Sequence, residues 1–308
     1  EYLAYVLKEN QYKHILIHFL DDSIWQVVKP HIDTTRITVW LHGADIQSYE
    51  RRAFLYETDS EVNKAKEIGD VKQAFWKSVL IPFHENLHLV FVSNYLADTA
   101  MEDLGIELDS SQYSVIPNPI NTVQFNYIEK PVEQRKKILS IRPYASKVYA
   151  NDLAVNAVLE LAKEPFFNEL EFRFIGDGVL FDETLEPLRQ FDNVIIERKF
   201  VTHAEIADLH KEYGIFLCPS RMDTQGVSRD EAMSSGLVPI TNAVAAIPEF
   251  VDNDSGVLCD GEDYMAIAAG IKMVCQSDEV FRSISSNAAK KVRANTCHEV
   301  TSKKEYEV

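Results

Sequence analysis

Two carboxylates, Asp223 and Glu231, stand eight residues apart on either side of a glycine that is placed to open a helix. The run Ile215–Cys218 predicts a buried strand, Gly226 lets backbone approach a ligand closely, and residues 227–235 predict a short helix. The free N–H groups at such a helix start attract an anion, for example a pyrophosphate. The carboxylates can accept hydrogen bonds from hydroxyl groups. An anion joined to a polyol describes a nucleotide sugar.

The composition is ordinary for a globular protein but strongly acidic. The 308 residues are 46% hydrophobic and 26% charged, which is enough for two domains with full cores. The net charge of −17 and the isoelectric point near 5.0 oppose attraction to nucleic acids, so we expect no nucleic-acid partner. The chain shows no run of about 18 apolar residues and no basic-then-apolar leader. We therefore expect a cytoplasmic protein, with peripheral association at the cytoplasmic face of a membrane left open.

The cysteines and histidines lack the spacing of metal sites. No Cys-x-x-Cys pair occurs, and His84 and His88 lack a helical context with acidic partners, so we expect no metal and no cofactor. We expect reduced core thiols at all four cysteines, which are Cys218, Cys259, Cys275 and Cys297.

Short β-branched or aromatic runs alternate with amphipathic stretches, which is typical of parallel sheets covered by helices. The capping box from Thr202 to Glu205 predicts a helix start, and residues 152–161 repeat apolar side chains at helical spacing. The predicted strands lie at residues 14–18, 37–41, 87–93, 137–141, 171–175, 194–196, 215–218 and 237–241.

A polar stretch, residues 126–137, carries one proline and shows no apolar period. We predict a first domain over residues 1–128, a linker over 129–136 and a second domain over 137–308. The first domain has too few strands before His42 for a complete doubly wound sheet, so we expect it to be incomplete at its N-terminus.

Several different short motifs follow one another along the chain. They are Val39–Gly43, Phe91–Tyr95, Val115–Asn121, Leu139–Arg142 with Lys147, Phe174–Gly178, Pro219–Gly236 and Ile247–Val251. Their order resembles that of the group-1 family of retaining GT-B glycosyltransferases, over roughly residues 37 to 300. The resemblance implies an α/β GT-B fold, in which two Rossmann-like parallel-sheet domains face a cleft.

The family carries paired glutamates with seven residues between them, the first on the donor sugar and the second on the ribose. By resemblance Asp223 takes the first role and Glu231 the second. The shorter aspartate reaches about one methylene less, so its sugar contact is altered or bridged by water. The alternative is that Asp223 only caps the following turn and Glu231 is a solvated helix residue.

Arg142 and Lys147, five residues apart beyond a predicted strand, resemble the basic pair that neutralises the donor pyrophosphate in this family. The leaving diphosphate gains negative charge as the glycosidic bond breaks, so two fixed cations stabilise the transition state most. The family usually has glycine after the lysine, whereas this chain has Val148, which puts the loop shape in question. The alternative for both cations is a surface ion pair.

His42 follows a predicted strand, and the resemblance implies that it hydrogen-bonds the transferred sugar; a purely structural histidine is the alternative. Arg51 and Arg52 could line an acceptor site or touch lipid headgroups, although a solvated helix face is the more ordinary interpretation. For Gly176 and Gly178, the alternative to ligand binding is a tight turn between a strand and a helix. The remaining donor-binding residues are expected to be Gly226, Val227, Ser228, Gly176, Gly178 and, at the nucleobase, Val201.

These residues favour a glycosyltransferase that moves a sugar from a nucleotide diphosphate donor to a carbohydrate, lipid-linked or other acceptor. Retention of anomeric configuration and a role in polysaccharide or glycoconjugate biosynthesis follow from the resemblance. Two alternatives stay open. One is a noncatalytic module that binds a nucleotide or a partner, and the other is a hydrolysing nucleotide-sugar epimerase of similar fold.

Overall fold

The computed structural model describes residues 2–308 and consists of two compact units. The first unit contains the residues up to Pro117 together with Lys303–Val308, and the second contains Asn118–Ser302. Each unit is built on a parallel sheet whose strands alternate with helices, which confirms the α/β class predicted from the alternation of apolar and amphipathic runs.

The sheet of the first unit pairs its strands in chain order, β1-β2-β3-β4, and all neighbours are parallel. Alternate residues of the central strands pack against Trp25 and Trp76 in a buried core, and Val39 is fully buried there. Strand β4 was not predicted because three residues are too few to show a period. The strands are β1 His14–His18, β2 Arg36–Leu41, β3 Leu87–Phe91 and β4 Tyr113–Val115, and the helices are α1 Tyr2–Glu9, α2 Asp22–Val28, α3 Asp59–Leu80 and α4 Asn94–Leu104, with 3-10 helices at Lys29–His31 and Tyr49–Leu55.

The second unit holds a parallel sheet in the order β10-β9-β8-β5-β6-β7. The strands are β5 Lys137–Ile141, β6 Glu171–Gly176, β7 Val194–Arg198, β8 Ile215–Leu217, β9 Val238–Asn242 and β10 Val257–Cys259. The helices are α5 Asn151–Leu161, α6 Phe181–Leu185, α7 His203–Glu212, α8 Val227–Ser234, α9 Ile247–Phe250, α10 Tyr264–Gln276, α11 Asp278–Asn295 and α12 His298–Glu307, with 3-10 helices at Val132–Lys136, Lys147–Tyr149, Phe167–Glu169 and Glu186–Leu188. The chain runs outward in both directions from the β5–β8 pair, and such a switch point leaves a ligand-sized crevice beyond the strand ends.

The stretch predicted as a linker, residues 129–136, lies inside the second unit, so the structure divides the chain before this segment and not within it. Lys130 is buried, and its ammonium donates a hydrogen bond to the carbonyl of His210. Arg135 donates from Nε to the carbonyl of Cys275 at 2.9 Å. Long basic side chains bury their alkyl stems while their heads reach backbone oxygens, which is how a polar run without apolar period packs into a core.

All four cysteines are buried and free, as expected for reduced core thiols. No helix within residues 2–308 is both long and apolar enough to cross a bilayer.

Candidate functional site

Two loops leave the switch point of the second unit side by side. Strands β5 and β8 pair directly, with Ile138 opposite Ile215. Arg142 is the first residue after β5, and the residues from Cys218 to Gly226 follow β8. The predicted basic pair and the predicted carboxylate pair therefore start from neighbouring strand ends, where open α/β sheets bind ligands.

The side chain of Arg142 is buried but poorly satisfied. Its Nη1 lies 3.3 Å from Ser228 Oγ and its Nη2 lies 3.4 Å from the carbonyl oxygen of Pro219, while Nε is buried without a partner. The guanidinium carbon stands 5.0 Å from the ring centre of Tyr149. Among residues 2–308 Arg142 forms no ion pair, so the surface ion-pair alternative does not hold for it. A buried cation with long hydrogen bonds and no counter-charge is costly unless an anion joins it.

Lys147 opens a single 3-10 turn directly after the Arg142 loop. The carbonyl of Val148 in that turn accepts hydrogen bonds from the N–H of Arg221 at 2.7 Å and from Ser220 Oγ at 3.1 Å. The left-handed conformation falls on Ala150, with φ of +44°. The backbone at position 148 therefore does not require glycine, and valine is accommodated there. The hydrogen bonds to the carbonyl of Val148 hold the loop of Lys147 against the loop after β8.

Arg221 is a residue that the sequence analysis did not single out. Its guanidinium donates to both carboxylate oxygens of Asp152, at 2.8 and 2.7 Å, and to Glu262 at 2.8 and 2.7 Å. It also donates to the carbonyl of Lys147 at 3.0 Å. The forked arginine thus ties the two loops of the switch point together, a role for which its sequence context carries no signal.

Gly226 precedes helix α8 in the left-handed region, with φ of +96°. A Cβ atom there would come within 2.5 Å of Arg229 Nη1, so both the backbone conformation and the close approach require glycine. As N-cap it offers no side-chain oxygen, and no side-chain cap hydrogen bond occurs. The first N–H groups of α8, at Val227 and Ser228, therefore receive no side-chain cap.

A buried polar network holds this turn from behind. Arg229 and Asp230 form an ion pair at 2.7 Å, and both side chains are almost fully buried. Gln225 donates to Asp230 Oδ2 at 3.3 Å and exchanges hydrogen bonds with Asn118, whose N–H reaches Gln225 Oε1 at 2.7 Å. No pattern in the sequence indicates this network, because adjacent charged residues in a helix are typical of a solvated face.

The predicted carboxylates differ in environment. Asp223 Oδ1 accepts a hydrogen bond from the N–H of Gln225 at 3.1 Å, so it caps its own turn as the alternative interpretation held. Glu231 is only 9% exposed, which contradicts its interpretation as a solvated helix residue. Burial, with the nearby Asp230 carboxylate, raises the pKa of Glu231 to about 7. His203 Nε2 lies 4.0 Å from Glu231 Oε1 and is a further candidate that the sequence did not reveal.

The two glycines at the end of β6, Gly176 within the strand and Gly178 just after it, have a packing role. A Cβ on Gly176 would lie 2.0 Å from the carbonyl oxygen of Arg142, and one on Gly178 would lie 2.2 Å from the backbone of Tyr144. Gly178 also has φ of +147°. These contacts fit the tight-turn alternative, since the glycines let the loop after β6 press against the Arg142 loop.

The segment between β7 and α7 carries the predicted nucleobase contact. Val201 is partly buried against the core cluster around Leu139. Its neighbour Phe200 is 87% exposed. An exposed aromatic ring beside a half-buried backbone segment offers both stacking and backbone hydrogen bonds.

His42 lies in the first unit, directly after β2. Its N–H donates to Asp45 Oδ2 at 3.0 Å, and the N–H of Gly43 donates to Asp45 Oδ1 at 2.7 Å. The rings of His42 and His18 share a hydrogen bond of 3.0 Å, and the ring of Phe19 stacks on His42 with centres 4.5 Å apart. Burial lowers the pKa of His42, which favours the neutral imidazole.

Within residues 2–308 no three His, Cys, Asp or Glu side chains come together as ligands for a metal ion. The positive groups at the second-unit switch point include Arg142, Lys147 and the N-terminus of α8, beside Arg221 and Arg229, which are paired with carboxylates.

Residues 135–277 match the family model described as glycosyl transferases group 1. A glycosyltransferase from Rickettsia africae superposes with a TM-score of 0.75 at 15% identity, over 99% of this chain and 78% of that one. Sucrose-phosphate synthase from Thermosynechococcus elongatus gives 0.77 at 15% identity, over 99% and 75%. HepE from Anabaena, solved with UDP and glucose, gives 0.71 at 15% identity, over 99% and 79%. No curated protein matches the chain.

Proposed function

We propose that this chain, which has the GT-B fold and whose residues 135–277 match the family model of group-1 glycosyltransferases, transfers a sugar from a nucleotide diphosphate donor to an acceptor hydroxyl with retention of configuration. The family supplies the class of transferase, and the donor, the stereochemistry and the acceptor are the proposal. The observation that carries it is Arg142, a buried guanidinium without a counter-charge beside the uncapped start of α8.

The donor diphosphate fits the positive groups of the switch point. In the proposal Arg142 binds phosphate oxygens through its free Nε and loosely held Nη groups, and the N–H groups of Val227 and Ser228 complete the anion site. Lys147 adds a second cation on the adjoining loop. These charges stabilise the departing diphosphate more than the bound donor, because negative charge grows on it as the bond to the sugar breaks.

The carboxylates hold the hydroxyl groups of the donor. Glu231 lies on the buried face of α8 and in the proposal accepts hydrogen bonds from the ribose hydroxyls as a carboxylate. Ribose binding would then oppose the burial that raises its pKa, because hydrogen bonds to the charged form favour ionisation. Asp223, whose Oδ1 already caps its turn, holds the transferred sugar directly or through water.

The nucleobase is assigned to the backbone of Val201, with the exposed ring of Phe200 available for stacking. Gly176 and Gly178 shape the donor site through their close contact with the Arg142 loop. His42 receives its role, a hydrogen bond to the transferred sugar, from the family resemblance alone.

The chemical step needs no protein nucleophile. The acceptor oxygen attacks C1 of the sugar on the face that the diphosphate leaves, the C1–O bond to phosphate breaks, and the acceptor proton passes to the departing phosphate oxygen. Arg142, Lys147 and the start of α8 supply positive field at that oxygen. We therefore propose that the reaction requires no divalent metal.

The acceptor in this proposal is a carbohydrate or a lipid-linked saccharide, as in polysaccharide or glycoconjugate biosynthesis. Cytoplasmic location, with peripheral contact to a membrane when the acceptor is lipid-linked, belongs to the same proposal. The sucrose-phosphate synthase and the HepE complex with UDP and glucose support sugar chemistry on this fold.

Calorimetric titration with UDP, GDP and ADP, first without metal and then with magnesium, tests the donor site. We expect one nucleotide to bind without metal, and Glu231→Ala to weaken it about tenfold through loss of the ribose hydrogen bonds. Glu212→Ala, which removes an exposed glutamate from α7 of the same unit, is the matched control. Equal affinity in wild type and Glu231→Ala would refute the ribose assignment, and a strict need for magnesium would refute the metal-independent site.

A further inference from the structure

The first unit contains a pocket of about 500 Å³ between the 3-10 helix Tyr49–Leu55 and helix α3. Its lining positions on α3 recur every three or four residues, so they share one face of the helix. Gly69 is one of them, and a Cβ there would come within 2.9 Å of the ring of Tyr49. The glycine lets the two elements approach closely, and the remaining space has the size of a small-ligand site.

Three cations line this pocket, and two of them, Arg52 and Lys72, form no ion pair within residues 2–308. Arg52 is half-buried, and within residues 2–308 it forms no hydrogen bond or ion pair. Lys72 donates from Nζ to the neutral carbonyl of Ala44 at 2.7 Å and makes no ion pair in the same residues. Burial lowers the pKa of both groups, and the charge of Arg52 lowers that of Lys72 further. Two like charges are thus held close together and partly out of water.

The nearest carboxylates are already engaged elsewhere. Asp103 accepts from the N–H of Ser48 at 2.7 Å and pairs with Arg51 at 2.8 Å. Asp45 accepts from the N–H groups before it, as described for His42. Glu61, which also lines the pocket, closes the capping box of α3. Arg51 therefore has its charge paired directly, whereas Arg52 has Asp45 and Asp103 near it but forms an ion pair with neither.

The rest of the pocket wall is mostly aromatic and apolar, and its other polar side chains are those of Ser48, Glu61 and Lys64. The rings of Tyr49 and Tyr56 line the pocket, and their centres lie 6.3 Å apart. The side chain of Ile68 also lines the pocket and is 61% exposed. A wall of this kind beside two cations suits a ligand that carries an anionic group on a less polar body. In a chain of net charge −17, two partly buried cations outside any ion pair, with Lys64 on the same pocket wall, are a specific feature and not a general property of the surface.

The pocket also adjoins the loop that carries His42. Lys72 holds the carbonyl of Ala44, and Asp45 holds the N–H groups of His42 and Gly43. This loop leaves the carboxyl end of β2, the edge at which open α/β sheets place their ligands.

We propose that the pocket binds a phosphate group of the acceptor through Arg52 and Lys72. The identification of the ligand as the acceptor rests on the proposed transferase function. The anion site itself is inferred from the geometry of the first unit alone. The phosphate belongs either to a soluble sugar phosphate or to the headgroup of a lipid.

The test is a calorimetric titration of the full chain with glycerol 1-phosphate at a pH where the probe is fully ionised. Arg52→Gln and Lys72→Gln are expected to weaken binding about tenfold or more, because each removes a charge-assisted hydrogen bond. Lys77→Gln, an equal charge loss at an exposed position further along α3, is the matched control and should bind as wild type does. Thermal unfolding of each variant verifies that the chain remains folded, and the two independent substitutions guard against a local folding defect in one of them.

Arg142→Gln separates this site from the donor site, since a phosphate could also bind there. Binding that survives Arg142→Gln and is lost in Arg52→Gln supports the pocket. Wild-type affinity in both pocket variants, loss in Arg142→Gln alone, or no binding to wild type in the millimolar range would each overturn it.

Vesicles distinguish the two sources of phosphate. Phosphatidylglycerol vesicles that compete with glycerol 1-phosphate, where phosphatidylcholine vesicles do not, identify a lipid headgroup. Undiminished glycerol phosphate binding in the presence of either vesicle identifies a soluble phosphate, and both results uphold the pocket. Nucleotide binding measured on the same variants should be unaffected by Arg52→Gln. A chain that binds glycerol phosphate in the pocket but binds no nucleotide would refute the proposed function and leave the anion site standing.

Discussion

Two buried arginines flank the start of helix α8, and their surroundings differ sharply. Arg229 is 2% exposed and donates to Asp230 from Nη2 at 2.7 Å and from Nε at 3.1 Å, with a further hydrogen bond to the carbonyl of Gln225. Arg142 is 6% exposed, its contacts to Ser228 and Pro219 are 3.3 and 3.4 Å long, and its Nε has no partner.

In the proposal, the difference separates a cation that holds the scaffold, Arg229, from one that binds a ligand, Arg142. A buried charge that is paired and fully hydrogen-bonded has nothing left to offer an anion, and its removal damages the fold. A buried charge without a partner destabilises the fold, and it is retained where a ligand supplies the counter-charge. The predictions below follow from this contrast.

The largest effect is expected for Asp230→Asn. The substitution leaves the guanidinium of Arg229 buried without its counter-charge, so we expect a loss of about 3–5 kcal/mol in the free energy of unfolding. Urea denaturation measures it. Asp208→Asn, which disturbs only an exposed pair with Lys211, should cost less than about 0.5 kcal/mol. If Asp230→Asn lost no more free energy of unfolding than this control, the ion pair of Arg229 and Asp230 would not stabilise the fold as the comparison holds.

Arg142→Gln should show the opposite profile. We expect kcat to fall about 10²- to 10³-fold, the loss typical of a group that stabilises charge in the transition state. The free energy of unfolding should stay within about 1 kcal/mol of wild type, because no ion pair is broken. Arg189→Gln, at an exposed position of the same unit, should leave both quantities unchanged. If Arg142→Gln were largely unfolded and its remaining folded molecules had the kcat of wild type, Arg142 would be a structural residue like Arg229.

Glu231→Gln is expected to change the pH dependence of stability. The native carboxyl has a pKa of about 7, above the ordinary 4.5, so the native state keeps a proton that the unfolded chain releases. Wild type should therefore lose stability as the pH rises from about 4.5 through 7, whereas the neutral glutamine does not titrate. By pH 8 the variant should have gained on the order of 2 kcal/mol relative to wild type. Denaturation at pH 5 and pH 8 measures this, and parallel curves for the two proteins would contradict it.

The smallest effect on the fold is expected for Asp223→Asn. The amide oxygen can still accept the hydrogen bond of the turn, so the free energy of unfolding should fall by less than about 1 kcal/mol. Affinity for the nucleoside diphosphate should stay the same, while affinity for the nucleotide sugar should fall, since only the sugar contact is changed. Competition binding with the two ligands measures the difference. A loss of affinity for both ligands would place Asp223 at the diphosphate.

The sequence predicted what is encoded locally. The strand that ends before Arg142, the glycine before α8 and the capping box of α7 each depend on a few adjacent residues, and the structure has all three. Glu231 was singled out by type and spacing, and Arg142 by the family resemblance. Their burial could not be predicted, because it depends on how β5 and β8 pair within the sheet.

Features that depend on distant contacts escaped the sequence analysis. The pairing of Asn118 with Gln225 joins residues far apart along the chain, and Arg229 beside Asp230 looks like an exposed helix surface. The segment around Lys130 was predicted as a linker because it is polar and has no apolar period. Its side chains instead donate hydrogen bonds to backbone carbonyls of the second unit, and no local sequence pattern indicates these contacts. Arg51 and Arg52 have the same chemistry in the sequence, and only their neighbours distinguish a paired residue from an unpaired one.

The most direct measurement of the central claim compares two ligands on one variant. Wild type and Arg142→Gln are titrated with the nucleoside diphosphate that binds and with the corresponding nucleoside, which lacks phosphates. The account predicts that Arg142→Gln weakens the diphosphate at least about tenfold and leaves the nucleoside unchanged, because the guanidinium binds phosphate alone. Equal losses for both ligands, or no loss for either, would contradict the claim that Arg142 is an anion-binding residue.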